Sequence, residues 1–424
     1  MKNEKKIRIA LLGVGTVGSA LVKLLRENAD YLKEKRGAEV EIRKVLDRNP
    51  EKLAKVGLSE SLFTNDIDEI LADDSIDTVV ELLGRIEPAH VYLQKALKAG
   101  KNVVTANKDL LCLYGEELEK LAAEHNVKLL YEASCLGTIP VINTLNNCFY
   151  GDRISELVGI CNGTSNYILT KMTEENLGFD EALKQAQAAG YAESDPTNDI
   201  EGIDCVYKLC ILARLAYGAK VEFGDVARTG IREITAKDIS SAKRFDFVIK
   251  LLSSCRLNNG KLELRVNPVL VPKEHILSKI NNSLNAIVIR GDRCGSVTLT
   301  GAGAGGDPTA SAVANDILHV ADGEPALQLH LKQLPFEKDY ELSYYVRMTV
   351  KDEAGVLSSV AQCFAKHGIS LALVDQQAAS DKDCKKIVLI THPTKVSAME
   401  ETLRSLHESK NFVRVNAVME VLQP

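Results

Sequence analysis

The 424-residue chain has no excess of basic residues: lysine and arginine number 52 against 58 acids, a net charge of −6. That balance leaves no cationic footprint for nucleic acid or an anionic membrane. No run approaches the roughly 18 consecutive apolar residues of a membrane-spanning helix. The amino-terminal MKNEKKIRIALLGVGTVG is charged and then enters an apolar strand directly. It contains neither a hydrophobic stretch of about 7–15 residues nor a small-residue cleavage site, the marks of a secretory signal. The ten cysteines (Cys112, Cys135, Cys148, Cys161, Cys205, Cys210, Cys255, Cys294, Cys363 and Cys384) lie mostly in apolar segments, with no CxxC pair and no adjacent histidine. They read as reduced core residues of a cytoplasmic protein, not as a disulfide or zinc framework. Repeats and low-complexity tracts are absent as well.

What is present organises the chain. Its length is too great for one core, and two or three domains are expected. Up to about residue 140, strand-like runs at 7–12, 40–46, 78–82, 102–105 and 128–131 alternate with helical patterns at 16–28, 66–72, 89–99 and 115–124. This βαβαβ alternation predicts a doubly wound parallel sheet over residues 1–140. Residues 141–325 mix helices with strand-like runs at 154–161, 286–290 and 296–300, an α+β pattern. A polar connector, Pro325 to Lys338, follows. Residues 341–424 then read strand (343–350), helix (355–366), strand (369–376), strand (386–391), helix (396–406), strand (413–422), the βαββαβ order of ferredoxin-like units. The connector and the complete pattern make this last part a separable unit by expectation.

Gly13-Val14-Gly15-Thr16-Val17-Gly18 follows a strand and opens a helix, the context in which GxGxxG cradles a dinucleotide pyrophosphate. Gly13 suits the tight turn, Gly15 the approach of backbone to phosphate, Gly18 the packing of helix on strand. Asp47, ending the second strand, is the expected ribose partner and favours NAD, whereas Arg48 beside it suits the 2′-phosphate of NADP. Lys108 lies just past another strand end, where doubly wound sheets hold ligands. Glu132 to Pro140 (EASCLGTIP) follows a further strand end, and its carbonyls could ligate a monovalent cation, or Cys135 could attack an aldehyde as a thiolate.

From about Asp199 to Tyr217, Ile200, Ile203, Val206, Leu209, Cys210 and Ala213 recur at helical spacing. One helix is expected there, with Glu201, Asp204 and Lys208 on a single polar stripe. The stripe is either a solvated face with an Asp204–Lys208 pair worth about 0.2–0.5 kcal/mol or a set of catalytic groups. The run Asn162-Gly163-Thr164-Ser165-Asn166 offers donors to a polar small molecule, or simply caps a helix. Gly301 to Asp307 (GAGAGGD) is a linker or a close backbone approach to a ligand. In the C-terminal unit, Asp352 with Gly355, Val356 and Leu357 sits between strand and helix, where an amino-acid carboxylate could rest on a helix N-terminus.

With these residues in view, the chain resembles homoserine dehydrogenases that carry a C-terminal ACT domain. The resemblance rests on Gly190-Tyr191-Ala192-Glu193 with Asp195-Pro196-Thr197, Asp199, Gly202, Asp204 and Lys208-Leu209, on Asn162 to Tyr167, and on Ala106-Asn107-Lys108. It implies an N-terminal NAD(P)-binding domain over 1–140 completed by about 301–325, a substrate-binding and catalytic domain over 141–325, and a regulatory ACT domain over 341–424. It further implies reduction of L-aspartate 4-semialdehyde to L-homoserine with NADP or NAD. Lys208 would move the proton on the substrate oxygen, with Asp204 and Lys108 beside it. Glu193, Asp199, Asp204, Gly163 and Thr164 would hold the substrate, and Gly190 and Gly303 would join the glycine loop at the cofactor. Carbonyls of Glu132, Cys135, Gly137 and Ile139 would hold Na+ or K+, although Leu136 and Thr138 stand where the family has smaller residues. An amino-acid effector, threonine by family expectation, would bind the ACT unit of a homodimer or homotetramer. Two other readings stay open: a phosphorylating semialdehyde dehydrogenase acting through Cys135, and a non-catalytic amino-acid sensor.

Overall fold

The first apolar run becomes the strand Lys5–Leu12, in which Ile9, Ala10, Leu11 and Leu12 have no exposed surface, as a parallel strand covered on both faces requires. In the computed structural model, which describes residues 5–322, 331–378, 383–408 and 412–423, this strand lies inside a six-stranded sheet. The order is Phe63–Thr64, Ala38–Leu46, Lys5–Leu12, Thr78–Glu81, Asn102–Thr105, Leu129–Leu130, and every pairing is parallel. The reversal of strand order beside Lys5–Leu12 opens the crevice in which doubly wound sheets take ligands. The helix Thr16–Glu27 buries Leu21, Val22 and Leu25 against the sheet. A helix from far along the chain, Gly306–Val320, adds Ala310, Val313 and Ile317 to the same core.

The chain divides into two compact units. One gathers Met1–Glu156, Asp204–Val226 and Leu284–Gln333, and the other Leu157–Ile203, Ala227–Ser283 and Leu334–Pro424. Beyond the parallel sheet, the first unit holds most of the helix Ile203–Tyr217 and an antiparallel hairpin, Leu284–Gly291 with Gly295–Ala302.

In the second unit the strands Phe247–Asn258 and Lys261–Pro272 form a long antiparallel hairpin. The strand-like runs read from the sequence do not include it. Its turn is Asn259-Gly260, both at positive φ (49° and 77°), the geometry that Asn-Gly supplies most easily. The C-terminal order is Glu341–Lys351, Val356–Lys366, Leu371–Ala378, Cys384–Thr391, Val396–His407, Phe412–Val421, around a core of Val346, Met348, Val360, Phe364, Ile387, Leu389 and Met399.

The expectation that this part is separable needs correction. Strand Phe412–Val421 pairs antiparallel with Glu341–Lys351 and also, in parallel, with Lys261–Pro272 at Val269 and Leu270. Arg265 grips Glu420 with two bonds of 2.8 Å, and Arg347 binds Asp238 at 2.7 Å, all four side chains being buried. The connector expected at Pro325–Lys338 falls outside the described residues up to 330. Beyond that, Lys332 bonds Gly218 and Lys220, and Leu262 bonds Pro335 and Glu337.

Candidate active site

Each glycine of the 13–18 loop has its own physical reason. Gly13 is at φ 98°, and a Cβ there would lie 2.9 Å from the Leu82 carbonyl oxygen; one at Gly18 would lie 2.2 Å from that of Gly13; one at Gly15 would meet nothing within 4 Å. The open space at Gly15 faces the start of the helix Thr16–Glu27, which has no side-chain cap, so its N-terminal N–H groups are suited to an anion. Asp47 is not the open ribose partner expected. It is buried, and its oxygens accept the N–H groups of Val14 (2.9 Å), Arg48 (2.7 Å) and Asn49 (3.2 Å) with the Lys52 ammonium at 3.0 Å. Burial opposes its charge, but those donors outweigh burial and hold the carboxyl below its ordinary range. A carboxylate offers about four lone-pair sites, so Asp47 is saturated as the tie that fixes the glycine loop. Arg48 beside it is exposed.

A helix expected over 115–124 begins earlier, at Lys108, because the Asn107 side chain caps it by accepting the Leu110 N–H. The predicted polar stripe is corrected at Gly202, whose φ of 73° ends the short helix Thr197–Ile200 before Ile203–Tyr217 begins. Glu201 therefore leaves the stripe and pairs with Arg232 at 2.8 Å. Asp204 and Lys208 stay one turn apart and are buried, not solvated: 8% and 7% exposed. Lys208 Nζ donates to Asp204 Oδ2 at 2.7 Å, and Lys108 Nζ lies 3.4 Å from Asp204 Oδ1. The two helices are held together by Arg214, which donates to the carbonyls of Leu111 and Cys112 at 3.0 Å, over a Gly115 where a Cβ would sit 2.4 Å from the guanidinium. Burial would lower the Lys108 pKa, but the Asp204 and Asp109 carboxylates outweigh it and the pKa is raised.

The Glu132 segment forms a short turn whose Glu132 carboxylate caps the next helix by accepting the N–H groups of Ile142 (2.9 Å) and Asn143 (2.7 Å). Burial pushes that carboxyl up to about 7 despite these bonds. Leu136 and Gly137 both adopt φ 58°, and a Cβ on Gly137 would lie 2.5 Å from the Ala302 oxygen. The loops around Gly137 and Gly303 are thus in backbone contact. The Glu132 carbonyl accepts the Cys135 N–H and that of Ile139 accepts the Val141 N–H. Cys135 has no exposed surface, which removes it as an aldehyde-attacking nucleophile.

In the second unit, Asn162 caps the helix Gly163–Glu174 through the Ser165 N–H (2.8 Å) and donates to Asp199 Oδ1 (2.6 Å), while Thr164 donates to the Tyr191 carbonyl (2.7 Å). The motif residues of 162–166 and 190–199, separate in sequence, are joined here. Glu193 is exposed, and Gly190 is at φ 78° with free space about it. Of the expected regulatory residues, Asp352 pairs with Lys385 at 3.0 Å, Gly355 at φ 90° starts the helix without a side-chain cap, and Leu357 is exposed. The Val356 side chain is buried and its N–H bonds the Glu353 carbonyl.

Among the buried acids that the sequence does not single out are Glu81 and Asp316. Glu81, at the end of its strand, accepts from Thr105 (2.5 Å) and Leu83 (2.7 Å), and burial raises its pKa. A charged residue closing the apolar run TVVE was the available signal. Asp316 accepts the Glu132 N–H at 2.8 Å from a residue 184 positions away, a contact no local pattern announces.

Family models for "Homoserine dehydrogenase, NAD binding domain" match residues 13–132, "Homoserine dehydrogenase" residues 140–318, and "ACT domain" residues 344–410. The chain is 37% identical over 426 residues to a homoserine dehydrogenase of Bacillus subtilis, covering 98% of each. A crystal structure of a homoserine dehydrogenase from Thiobacillus denitrificans superposes with a TM-score of 0.93 at 35% identity, over 99% of this chain and 98% of that one. A hyperthermophilic archaeal homoserine dehydrogenase in complex with NADPH is similar at TM-score 0.65 and 30% identity, over 76% of this chain and 99% of that one.

Proposed function

The chain belongs to the homoserine dehydrogenase family, and from that premise we propose how its residues divide the work. The enzyme is an NAD(P)-dependent oxidoreductase that interconverts L-aspartate 4-semialdehyde and L-homoserine, a step of threonine, methionine and isoleucine biosynthesis. The nicotinamide, when bound, supplies the hydride.

The observation that carries the proposal is one carboxylate, Asp204, shared by two lysines. In the reduction, a negative charge develops on the substrate oxygen and must be met by a proton or a cation already in place. Lys208 gives that proton in reduction and takes it back in oxidation. Asp204 holds the Lys208 ammonium in one orientation, while Lys108, kept charged by Asp204 and Asp109, stands at the cofactor side. Glu193, Asp199 and Asp204 bind the ammonium and hydroxyl ends of the amino acid, with Gly163 and Thr164 as further substrate contacts. The glycine loop, Arg48, Gly190 and Gly303 hold the dinucleotide, whose phosphates the uncapped helix at Thr16 suits. Arg48, exposed beside a saturated Asp47, tips the preference toward NADP. Main-chain oxygens of Glu132, Cys135, Gly137 and Ile139 would hold a monovalent cation, a reading supported by the consecutive left-handed residues 136 and 137 that turn this backbone. The cation would orient the loop.

In this reading 1–140 with about 301–325 serves the cofactor, 141–325 the substrate, and 341–424 regulation by an amino acid, threonine, at Asp352, Gly355, Val356 and Leu357. The protein works in the cytoplasm as a homodimer or homotetramer, in keeping with ten free cysteines. Among the described residues no helix is long and apolar enough to cross a membrane. The test is NAD(P)H oxidation with aspartate semialdehyde in phosphate-free buffer. Turnover there supports the lysine mechanism, and an absolute need for phosphate would return the reaction to an acyl-enzyme.

A further inference from the structure

Lys250 is a lysine almost without exposure, 2%, in the middle of the strand Phe247–Asn258. Its three acceptors are Asn166 Oδ1 at 3.0 Å, the Ile280 carbonyl at 2.6 Å and Asn281 Oδ1 at 3.0 Å. An ammonium has three donors, so each is used, and every partner is neutral. Burying a charge with no counter-ion is costly, and a structure that only needed to fill this space would place a methionine or leucine there.

The bonds lead to the helix Gly163–Glu174. Asn166 also donates from Nδ2 to the Ile280 carbonyl (3.1 Å), Thr170 accepts the Asn282 N–H (3.1 Å), and Asn281 donates to Glu174 (3.3 Å). One turn before Asn166 stands Asn162, which caps this helix and holds Asp199 at 2.6 Å. We propose that Lys250 is the positioning residue for substrate binding: its ammonium locks Asn166 and so fixes the helix N-terminus that presents Asn162, Thr164 and Asp199. The inference rests on the substrate role proposed above for Asp199 and Thr164.

A second property follows from the neutral surroundings. Burial depresses the Lys250 pKa to about 8, and the charged group that opposes this is Glu174 on the same helix, while Lys279 on the neighbouring turn is exposed. As pH rises through that value, a three-donor ammonium becomes a two-donor amine facing three acceptors. The lock is present below about pH 8 and is lost above it.

The test uses the full-length enzyme. Lys250→Met is expected to raise KM for homoserine about tenfold, the scale of a lost charge-assisted hydrogen bond, with KM for the cofactor unchanged and faster amide exchange at 163–166 in the substrate-free protein. Asn166→Asp puts a carboxylate against the ammonium, which raises a lysine pKa by roughly 1–3 units. The alkaline rise of KM should therefore move up by at least about one pH unit relative to wild type; the substrate's own ionisation is common to both enzymes and drops out. A folded Lys250→Met enzyme with KM within about twofold of wild type and unaltered exchange would overturn the proposal. If that variant does not fold, an unmoved alkaline limb in Asn166→Asp overturns it instead. Asp199→Ala separates the two readings: an unchanged KM there sinks the substrate role of Asp199, whereas a raised KM with Lys250 variants silent sinks the positioning role alone.

Discussion

Arg265 and Glu420 meet through two bonds of 2.8 Å, both side chains buried, although 155 residues separate them in sequence. Asn267 adds a third donor to the same carboxylate at 3.1 Å. Removing one partner of such a pair strands the other charge out of water and costs about 3–5 kcal/mol. Glu420→Ala should therefore lower the unfolding midpoint by several degrees, and truncation before Glu341 should give an insoluble or poorly folded catalytic body, since it also uncovers a sheet edge and leaves Asp238 without Arg347. A soluble truncation with wild-type turnover and stability would show that these contacts carry little.

Lys208→Ala should reduce kcat by roughly 10²–10⁴-fold, the range for loss of a positioned general acid, and leave the dissociation constant for NAD(P)H nearly unchanged. Steady-state kinetics and fluorescence titration of the cofactor separate the two quantities. Turnover above about a third of wild type would return Lys208 to a structural ion pair.

Saturation of Asp47 changes what its mutation should do. Asp47→Ala releases Val14 and Lys52, so KM should rise for NADH and NADPH alike. Arg48→Ala should raise KM for NADPH alone, by about fivefold, because an exposed ion pair is worth at most about 1 kcal/mol. Selective damage to NADH use by Asp47→Ala would restore the ribose role.

Glu132 has a folded-state pKa of about 7 against an ordinary 4.5. For a carboxyl raised in this way the protonated form is favoured by folding, so its contribution is present below about pH 4.5, declines as pH rises, and is gone above about 7. Denaturant unfolding should show stability falling between pH 5 and 7 with a slope of up to about 1.4 kcal/mol per unit from this group. In Glu132→Gln that slope should flatten. An identical slope in both proteins would mean that Glu132 stays ionised throughout.

Much of the first unit was legible because parallel strands buried on both faces are continuous apolar runs, as at Ile9 to Leu12, and because Gly13, Gly15 and Gly18 each answer a separate steric demand. The hairpin Phe247–Pro272 was obscured by its own chemistry: Lys250, Ser253, Ser254, Glu263 and Arg265 are all buried polar residues that interrupt any apolar pattern. Only Asn259-Gly260 announced it. At the candidate site, Asp204 and Lys208 were visible as a pair, but sequence periodicity carried the helix through Gly202. It also could not tell a solvated stripe from a buried one, since burial depends on Lys108 and Arg214, residues on or against another helix.

The Arg265–Glu420 pair also sets a timetable for a growing chain. At about 5–20 residues per second, the 155 residues between the two partners take roughly 8–30 s to synthesise. For that interval the strand Lys261–Pro272 has only the short strand Ala227–Arg228 to pair with on its Glu420 side, its edge at Val269 and Leu270 stays open, and Arg265 lacks its Glu420 carboxylate. The second unit can close its sheet only after almost the whole protein has left the ribosome, so its assembly is largely post-translational, whereas the parallel strands of residues 5–130 can begin pairing as they emerge.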